Sequence, residues 1–237
     1  VTNRALTEFG NVGANQFTNG ALAPNGKIYC APVSGTQVLE IDPVLNTIAL
    51  FGSLAGTSAD SWMDTILGVD GMIYGIPGTG TRIIEINPNT QDISFFGSFA
   101  GGATPKWKSG ALAADGNIYC IPATDLMNVL EINTTAKTTS TFGTLSGEEQ
   151  WLSCALGLDG KIYALPYDGT TVLEVDPVAK TTSTFGSFSA GSTKWLGSVL
   201  GLNGKIYGIP YTETTVLEVD PVAKTTSTFG SLSGSAK

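Results

Sequence analysis

An all-β fold of five like units is what this sequence predicts, and three observations carry that prediction. An Asn-Gly or Asp-Gly pair followed by x-Ile-Tyr occurs five times, with Tyr29, Tyr74, Tyr119, Tyr163 and Tyr207 spaced by 45, 45, 44 and 44 residues. A Pro stands three positions after each Tyr, at Pro32, Pro77, Pro122, Pro166 and Pro210. No segment shows a sustained 3.6-residue apolar pattern bounded by helix caps. Four short strands in each unit of 44–45 residues are the signature of a propeller blade. Residues 1–237 therefore read as a single five-bladed β-propeller with four antiparallel strands per blade.

Each element has a local reason. The first strand of a unit is small and apolar, as in Gly197–Leu202, and suits the crowded channel at the centre of a propeller. The Asn/Asp-Gly pair then predicts a two-residue hairpin with φ > 0 at both central positions. The second strand reads Lys-Ile-Tyr-Gly-Ile-Pro in the last unit, and its Pro fits a strand end or bulge because it has no N–H for a ladder. The third strand carries an apolar-flanked carboxylate at Glu40, Glu85, Glu131, Glu174 or Glu218. An Asp-Pro-containing turn, as at Asp176-Pro177, leads to a fourth strand ending in Phe-Gly. A β-solenoid is the rival fold, but its coils stack in parallel whereas these units are rich in hairpin signals.

The Phe-Gly ending occurs once more than the Tyr-containing unit. The surplus copy is Leu6–Gly10, so residues 1–13 read as an extra outer strand. It would be loosely held at an edge, displace the copy at Phe229-Gly230, or pair with another molecule by strand exchange.

Composition narrows the function. The 237 residues carry a net charge of −8, which excludes a basic stripe for nucleic acid and disfavours an anionic membrane surface. No apolar run approaches a membrane span. Three cysteines do not make a disulfide framework, and Cys30 and Cys120 read as small buried hydrophobes. Low charge, abundant Ser and Thr, a first residue Val1 rather than Met, and the sequon Asn133-Thr134-Thr135 favour an extracellular setting.

The arrangement resembles the broad propeller superfamily of WD-repeat, kelch and NHL proteins, without the Trp-Asp and Gly-His pairs of WD repeats. Lys194-Trp195, Asn203–Pro210 and Val216–Pro221 more closely resemble uncharacterised repeats of algae and protists. That unit reads Lys-Trp…Leu-Ala-x-Asp-Gly-Lys-Ile-Tyr-Gly-Ile-Pro…Val-Leu-x-Ile-Asp-Pro. The resemblance implies the fold and no activity.

Candidate binding residues come from a second repeat. An aromatic precedes each first strand, at Phe17, Trp62, Trp107, Trp151 and Trp195, and a polar residue precedes it at Gln16, Ser61, Lys106, Gln150 and Lys194. One reading is a ring of stacking platforms for a glycan, with polar neighbours orienting it. The other is that the rings wedge between blades. The repeated Glu and Tyr read as structural.

Catalysis is disfavoured. With no histidine, Ser-His-Asp and Cys-His systems and the commonest metal ligand are gone. No phosphate or calcium loop appears, so no cofactor or metal is expected. A glycosidase needs only carboxylates, and Asp60, Asp64, Glu148 and Glu149 lie near the ring in two units. Thr171–Ser187 and Thr215–Ser231 are identical, which suits repeated equivalent contacts more than one active site. The sequence therefore favours a non-catalytic, lectin-like binding module or a self-assembling scaffold linked through the surplus strand. Its partner would be a glycan or a protein.

Overall fold

The computed structural model of the chain describes residues 8–54, 61–123, 128–145, 151–191 and 193–232. Blade 1 comprises β1 (Ala21–Leu22), β2 (Ile28–Cys30), β3 (Val38–Asp42) and β4 (Thr47–Phe51). Blade 2 comprises β5 (Trp62–Leu67), β6 (Ile73–Pro77), β7 (Ile83–Ile86) and β8 (Ile93–Phe96). Blade 3 comprises β9 (Trp107–Leu112), β10 (Ile118–Pro122), β11 (Val129–Asn133) and β12 (Thr138–Phe142). Blade 4 comprises β13 (Trp151–Leu156), β14 (Ile162–Pro166), β15 (Val172–Asp176) and β16 (Thr181–Phe185). Blade 5 comprises β17 (Trp195–Leu200), β18 (Ile206–Pro210), β19 (Val216–Asp220) and β20 (Thr225–Phe229). Each blade is an antiparallel meander in chain order, and the first strands of all five line a common channel. This is the five-bladed β-propeller architecture that the repeats predict.

The first hairpin differs from the expected two-residue form. Gly26 N donates to Ala23 O at 3.0 Å and Ala23 N to Lys27 O at 2.8 Å, and the same pair of bonds recurs in the other four blades. Each Gly has φ between 79° and 83°, while the Asn or Asp before it keeps an ordinary negative φ. The turn is thus a type I turn followed by a left-handed Gly. The Asn or Asp side chain explains the choice. Its Oδ1 accepts the N–H beyond the Gly, as at Asn25–Lys27 (3.0 Å) and Asp70–Met72 (3.1 Å). Its other terminal atom is then free to meet the blade's tyrosine.

The second turn of each blade points at a neighbour. Asp42, Asp176 and Asp220 cap it by accepting backbone N–H groups, and Asn46, Gln91, Lys137, Lys180 and Lys224 follow with φ of 54–61°. From this position Gln91, Lys137, Lys180 and Lys224 reach back to the preceding blade's glutamate.

The core is divided into four clusters, one at each junction of successive blades. Between blades 1 and 2, Tyr29, Ala31 and Val38 face Trp62, Ile73 and Ile84. Equivalent residues fill the next three junctions. Tyr29, Tyr74, Tyr119 and Tyr163 are fully buried, each edge-on to its own blade's Phe, and the expected structural role of these tyrosines follows from that position. The repeated glutamates are ion-paired, as expected, with Lys27–Glu40 at 2.5 Å and Lys180–Glu131 at 2.6 Å.

The surplus segment forms no strand among its described residues, Glu8 to Gly13. Gly10 nevertheless lies on blade 1, where an added Cβ would stand 2.3 Å from Ile48 Cγ1. Gly52 lies against Ile93 of blade 2 in the same way. Residues 1–7 lie outside the described residues.

Trp107 sits at the centre of a junction, so Trp107→Ala should destabilise the fold by about 3–5 kcal/mol in urea denaturation. Phe17→Ala, at the half-buried equivalent in blade 1, should cost clearly less. Equal losses would contradict the placement.

Candidate functional site

The aromatic ring is not a set of exposed platforms. Trp62, Trp107, Trp151 and Trp195 are buried in the four junction clusters, and their indole N–H groups donate to the carbonyls of Arg82, Asn128, Thr171 and Thr215. The reason lies in a register shift. A bulge after each Trp, as between Trp62 and Asp64 opposite Pro77 and Ile76, turns the ring away from the channel face and into the junction. Phe17 alone of the five is half-buried.

The polar neighbours are also committed. Lys106 is buried, its Nζ donating to the carbonyls of Gly78 (3.2 Å) and Thr79 (3.1 Å). Lys194 is buried with Nζ on Gly191 O at 3.0 Å. Ser61 shares a hydrogen bond with Thr79 at 3.0 Å. Gln16 is exposed and joins Ser34 through its backbone. These groups brace loops, and the expectation that they orient a ligand is corrected for Lys106 and Lys194. Gln150, Asp60, Glu148 and Glu149 lie outside the described residues.

Two surfaces remain as candidates. The first is the central channel, about 800 Å³, which repeat symmetry leaves with unlike residues at one level: Asn19, Asp64, Ser109, Ser153 and Gly197. Asn19 Nδ2 donates to Asp64 Oδ1 at 2.6 Å, and Thr65 N to the same oxygen at 2.8 Å. Gly110 N reaches Asp64 Oδ2 at 3.3 Å, and Ser109 bonds the same carboxylate. Ser109 Oγ and Cys154 Sγ lie 3.8 Å apart. The hydroxyls of Ser153 and Ser198 are buried without a hydrogen-bond partner among the described residues. Sequence reasoning saw Asp64 only as one carboxylate near the ring. The 45-residue offset from Asn19 to Asp64 to Ser109 was the available signal for the belt.

Burial raises the Asp64 carboxyl above its ordinary range, and the hydrogen bonds from Thr65, Asn19, Gly110 and Ser109 only partly offset it. Burial also pushes the thiols up, Cys30 to about 11 and Cys154 to about 12, so both stay protonated and unreactive at neutral pH.

The second surface is the face formed by the blades' two turns. Val44, Val69, Leu158, Val178, Leu202 and Val222 stand at turn tips and are all strongly exposed, Val178 at 91%. Sequence reasoning missed them, although the apolar residue just before Asn-Gly or Asp-Gly or just after Asp-Pro was a visible signal.

Comparison with known proteins gives fold relatives. No family model and no curated protein matches the chain. A catalytically inactive variant of virginiamycin B lyase from Staphylococcus aureus, solved with quinupristin, is 11% identical, with a TM-score of 0.75 over 91% of this chain and 70% of that one. The extracellular domain of a hybrid two-component system protein from B. thetaiotaomicron is 11% identical, with a TM-score of 0.67 over 94% of this chain and 32% of that one. A protein of unknown function from Bacteroides thetaiotaomicron is 14% identical, with a TM-score of 0.65 over 96% of this chain and 62% of that one. The chain is similar to these propellers in fold alone.

A raised carboxyl makes a signed prediction. Neutral Asp64 suits the folded state, so its contribution is full below the ordinary value of 3.8 and is lost as pH rises. Asp64→Asn keeps an acceptor for Asn19 and Thr65 without the charge. Its melting temperature relative to wild type should therefore rise from acid to neutral pH. A difference that does not change with pH would contradict the assignment.

Proposed function

We propose that this chain is a non-catalytic interaction scaffold that receives a protein partner on its turn face. The observation that carries the reading is the set of bare aliphatic side chains that blades 1, 2, 4 and 5 present there. Exposed aliphatic side chains gathered on one face are a mark of interaction sites. Asp70, Asp176 and Asp220 stand beside these tips paired with Lys137, Lys161 and Lys205, so the partner meets apolar tips within a rim of both charges.

Catalysis finds less support. A carboxylate pair is what glycoside hydrolysis requires, and the channel belt holds Asp64 without a second carboxylate among the described residues. The lyase relative is described as catalytically inactive when one histidine is replaced by alanine, and this chain has no histidine. A glycan site on the tryptophan ring is not carried forward, because those rings are inside the fold.

An extracellular setting accords with the low charge, the Ser and Thr content and an extracellular domain among the fold relatives. Among the described residues no helix is long and apolar enough to cross a membrane. The cysteine positions are compatible with this setting, since Cys30 and Cys120 are buried and shielded from oxidation.

The combined variant Val178→Ser, Leu202→Ser, Val222→Ser tests the face. All three residues are exposed, so the melting temperature should change little, while a protein partner retained by the immobilised wild type should bind at least about tenfold more weakly. Unchanged binding, or binding abolished instead by Leu196→Arg at the channel mouth, would overturn the reading.

A further inference from the structure

The sequon Asn133-Thr134-Thr135 falls at the second turn of blade 3, the middle blade, and nearly every polar atom of that turn is in use. Asn133 Oδ1 accepts the N–H groups of Thr135 at 3.1 Å and Ala136 at 2.7 Å. Asn133 O accepts Lys137 N at 2.9 Å. Thr134 is buried, its Oγ1 donating to Gly116 O at 2.8 Å while its carbonyl accepts the Tyr74 hydroxyl at 3.3 Å. The turn is therefore fixed by its backbone, by Thr134 and by Oδ1. Asn133 Nδ2 has no partner among the described residues. Asn133 is half-buried, and Thr135 and Ala136 are exposed.

Blade 3 departs from the other blades at the positions around that atom. Asp42, Asp176 and Asp220 cap the same turn in blades 1, 4 and 5. The second carboxylate oxygen of Asp176 is taken by Lys161 at 3.3 Å, and that of Asp220 by Lys205 at 3.9 Å. In blade 3 an amide replaces the carboxylate. Asn117 stands where those lysines stand, and its Nδ2 turns instead to Asp115 and Glu131. Blade 2 also has an amide, Asn87, but Pro88 follows it, which the acceptor motif does not allow. Blade 3 is also the blade with neither Val nor Leu at its two turn tips. Ala114 and Thr135 stand there where blade 4 has Leu158 and Val178.

We infer that Asn133 Nδ2 is an N-glycosylation acceptor, which puts a glycan on the blade 3 sector of the turn face. The inference rests on the extracellular setting proposed above, since the donor, a lipid-linked oligosaccharyl pyrophosphate, is met on the secretory route. In the transfer a C–N bond forms between Nδ2 and the anomeric carbon of the first sugar. The bond from that carbon to the pyrophosphate oxygen breaks, and the lipid pyrophosphate leaves with the electron pair. The amide gives up one proton to a base of the transferase. The linkage uses only a hydrogen of Nδ2 and leaves Oδ1 to cap the turn, so the folded blade accommodates the product. The hydroxyl that the motif requires two residues on is that of Thr135, which is exposed. The glycan stands at the sector of the face that has no Val or Leu tip to cover.

Translation of the whole chain behind a cleavable secretory leader, with endoplasmic-reticulum vesicles present, tests the inference. The leader supplies entry, so the result does not depend on where the chain's own cells send it. Protease-protected chains should carry one discrete mass increment above 24.5 kDa, and an amidase that cuts the sugar–asparagine bond should remove it. Asn133→Asp and Thr135→Ala should each abolish the increment, while Thr135→Ser should keep it. Asn133→Asp retains the cap that Asp176 and Asp220 make, and Thr135→Ala retains the N–H that Oδ1 accepts. Both variants should therefore melt close to the unsubstituted chain. Protected chains without an increment would overturn the inference, and so would an increment that survives Asn133→Asp or Thr135→Ala. Either result would leave the extracellular reading standing. That reading fails separately if an antibody finds the chain inside intact cells of its source.

Discussion

A buried tyrosine hydroxyl at each blade junction is the constraint on which the rest of this structure depends. Leaving such a hydroxyl without a partner in the core costs roughly 1–3 kcal/mol, so every junction must supply one. Asp70, Asp115 and Asp159 supply it from the same blade at 2.6–2.7 Å. Pro88, Thr134 and Pro177 supply a carbonyl from the next. The hydroxyl is shared between two blades, and it fixes how one sits on the other. The left-handed residue of the second turn, the caged glutamate and the Gly of the hairpin all follow from holding those partners in place.

That arrangement also decides where chemistry is absent. The lysines of the second turns and the repeated glutamates are used in holding blades together, and burial keeps the thiols protonated. What the repeat leaves at the turn tips is aliphatic, while the outer strands show Thr and Ser. The turn tips project because each turn is tight, and of them Val69 and Leu158 reach the hairpin glycine of the next blade, Gly116 and Gly204. The channel belt is the place where the five units differ most in polarity. Asp64 there is raised by burial and held in place by neutral donors that partly offset it.

The blade count, strand order and structural tyrosines were legible because each depends on residues close in sequence. The tryptophans were legible only as two alternatives, exposed platforms or wedges between blades, and the junction clusters hold them as wedges. Period-two alternation assigns a side chain to a face only while the register holds, and the bulge after Trp62 changes the face within two residues. The turn type was half legible: Asn-Gly marks a turn, but the side chain of Asn25, bonded both to Lys27 N and to Tyr29, selects the form with one left-handed residue. The exposure of blade 5 could not be read at all, since Tyr207 stands half-buried in the same motif that buries Tyr29, Tyr74, Tyr119 and Tyr163.

Hydrogen exchange of the backbone amides, followed strand by strand in dilute protein, tests most directly whether the covered tyrosine face sets local stability. The account predicts that β18 exchanges faster than β6, β10 and β14, since those three strands have the same sequence pattern but a neighbouring blade over their tyrosines. Equal protection of all four strands would contradict it, and would mean that blade 5 is held by something other than the junction described.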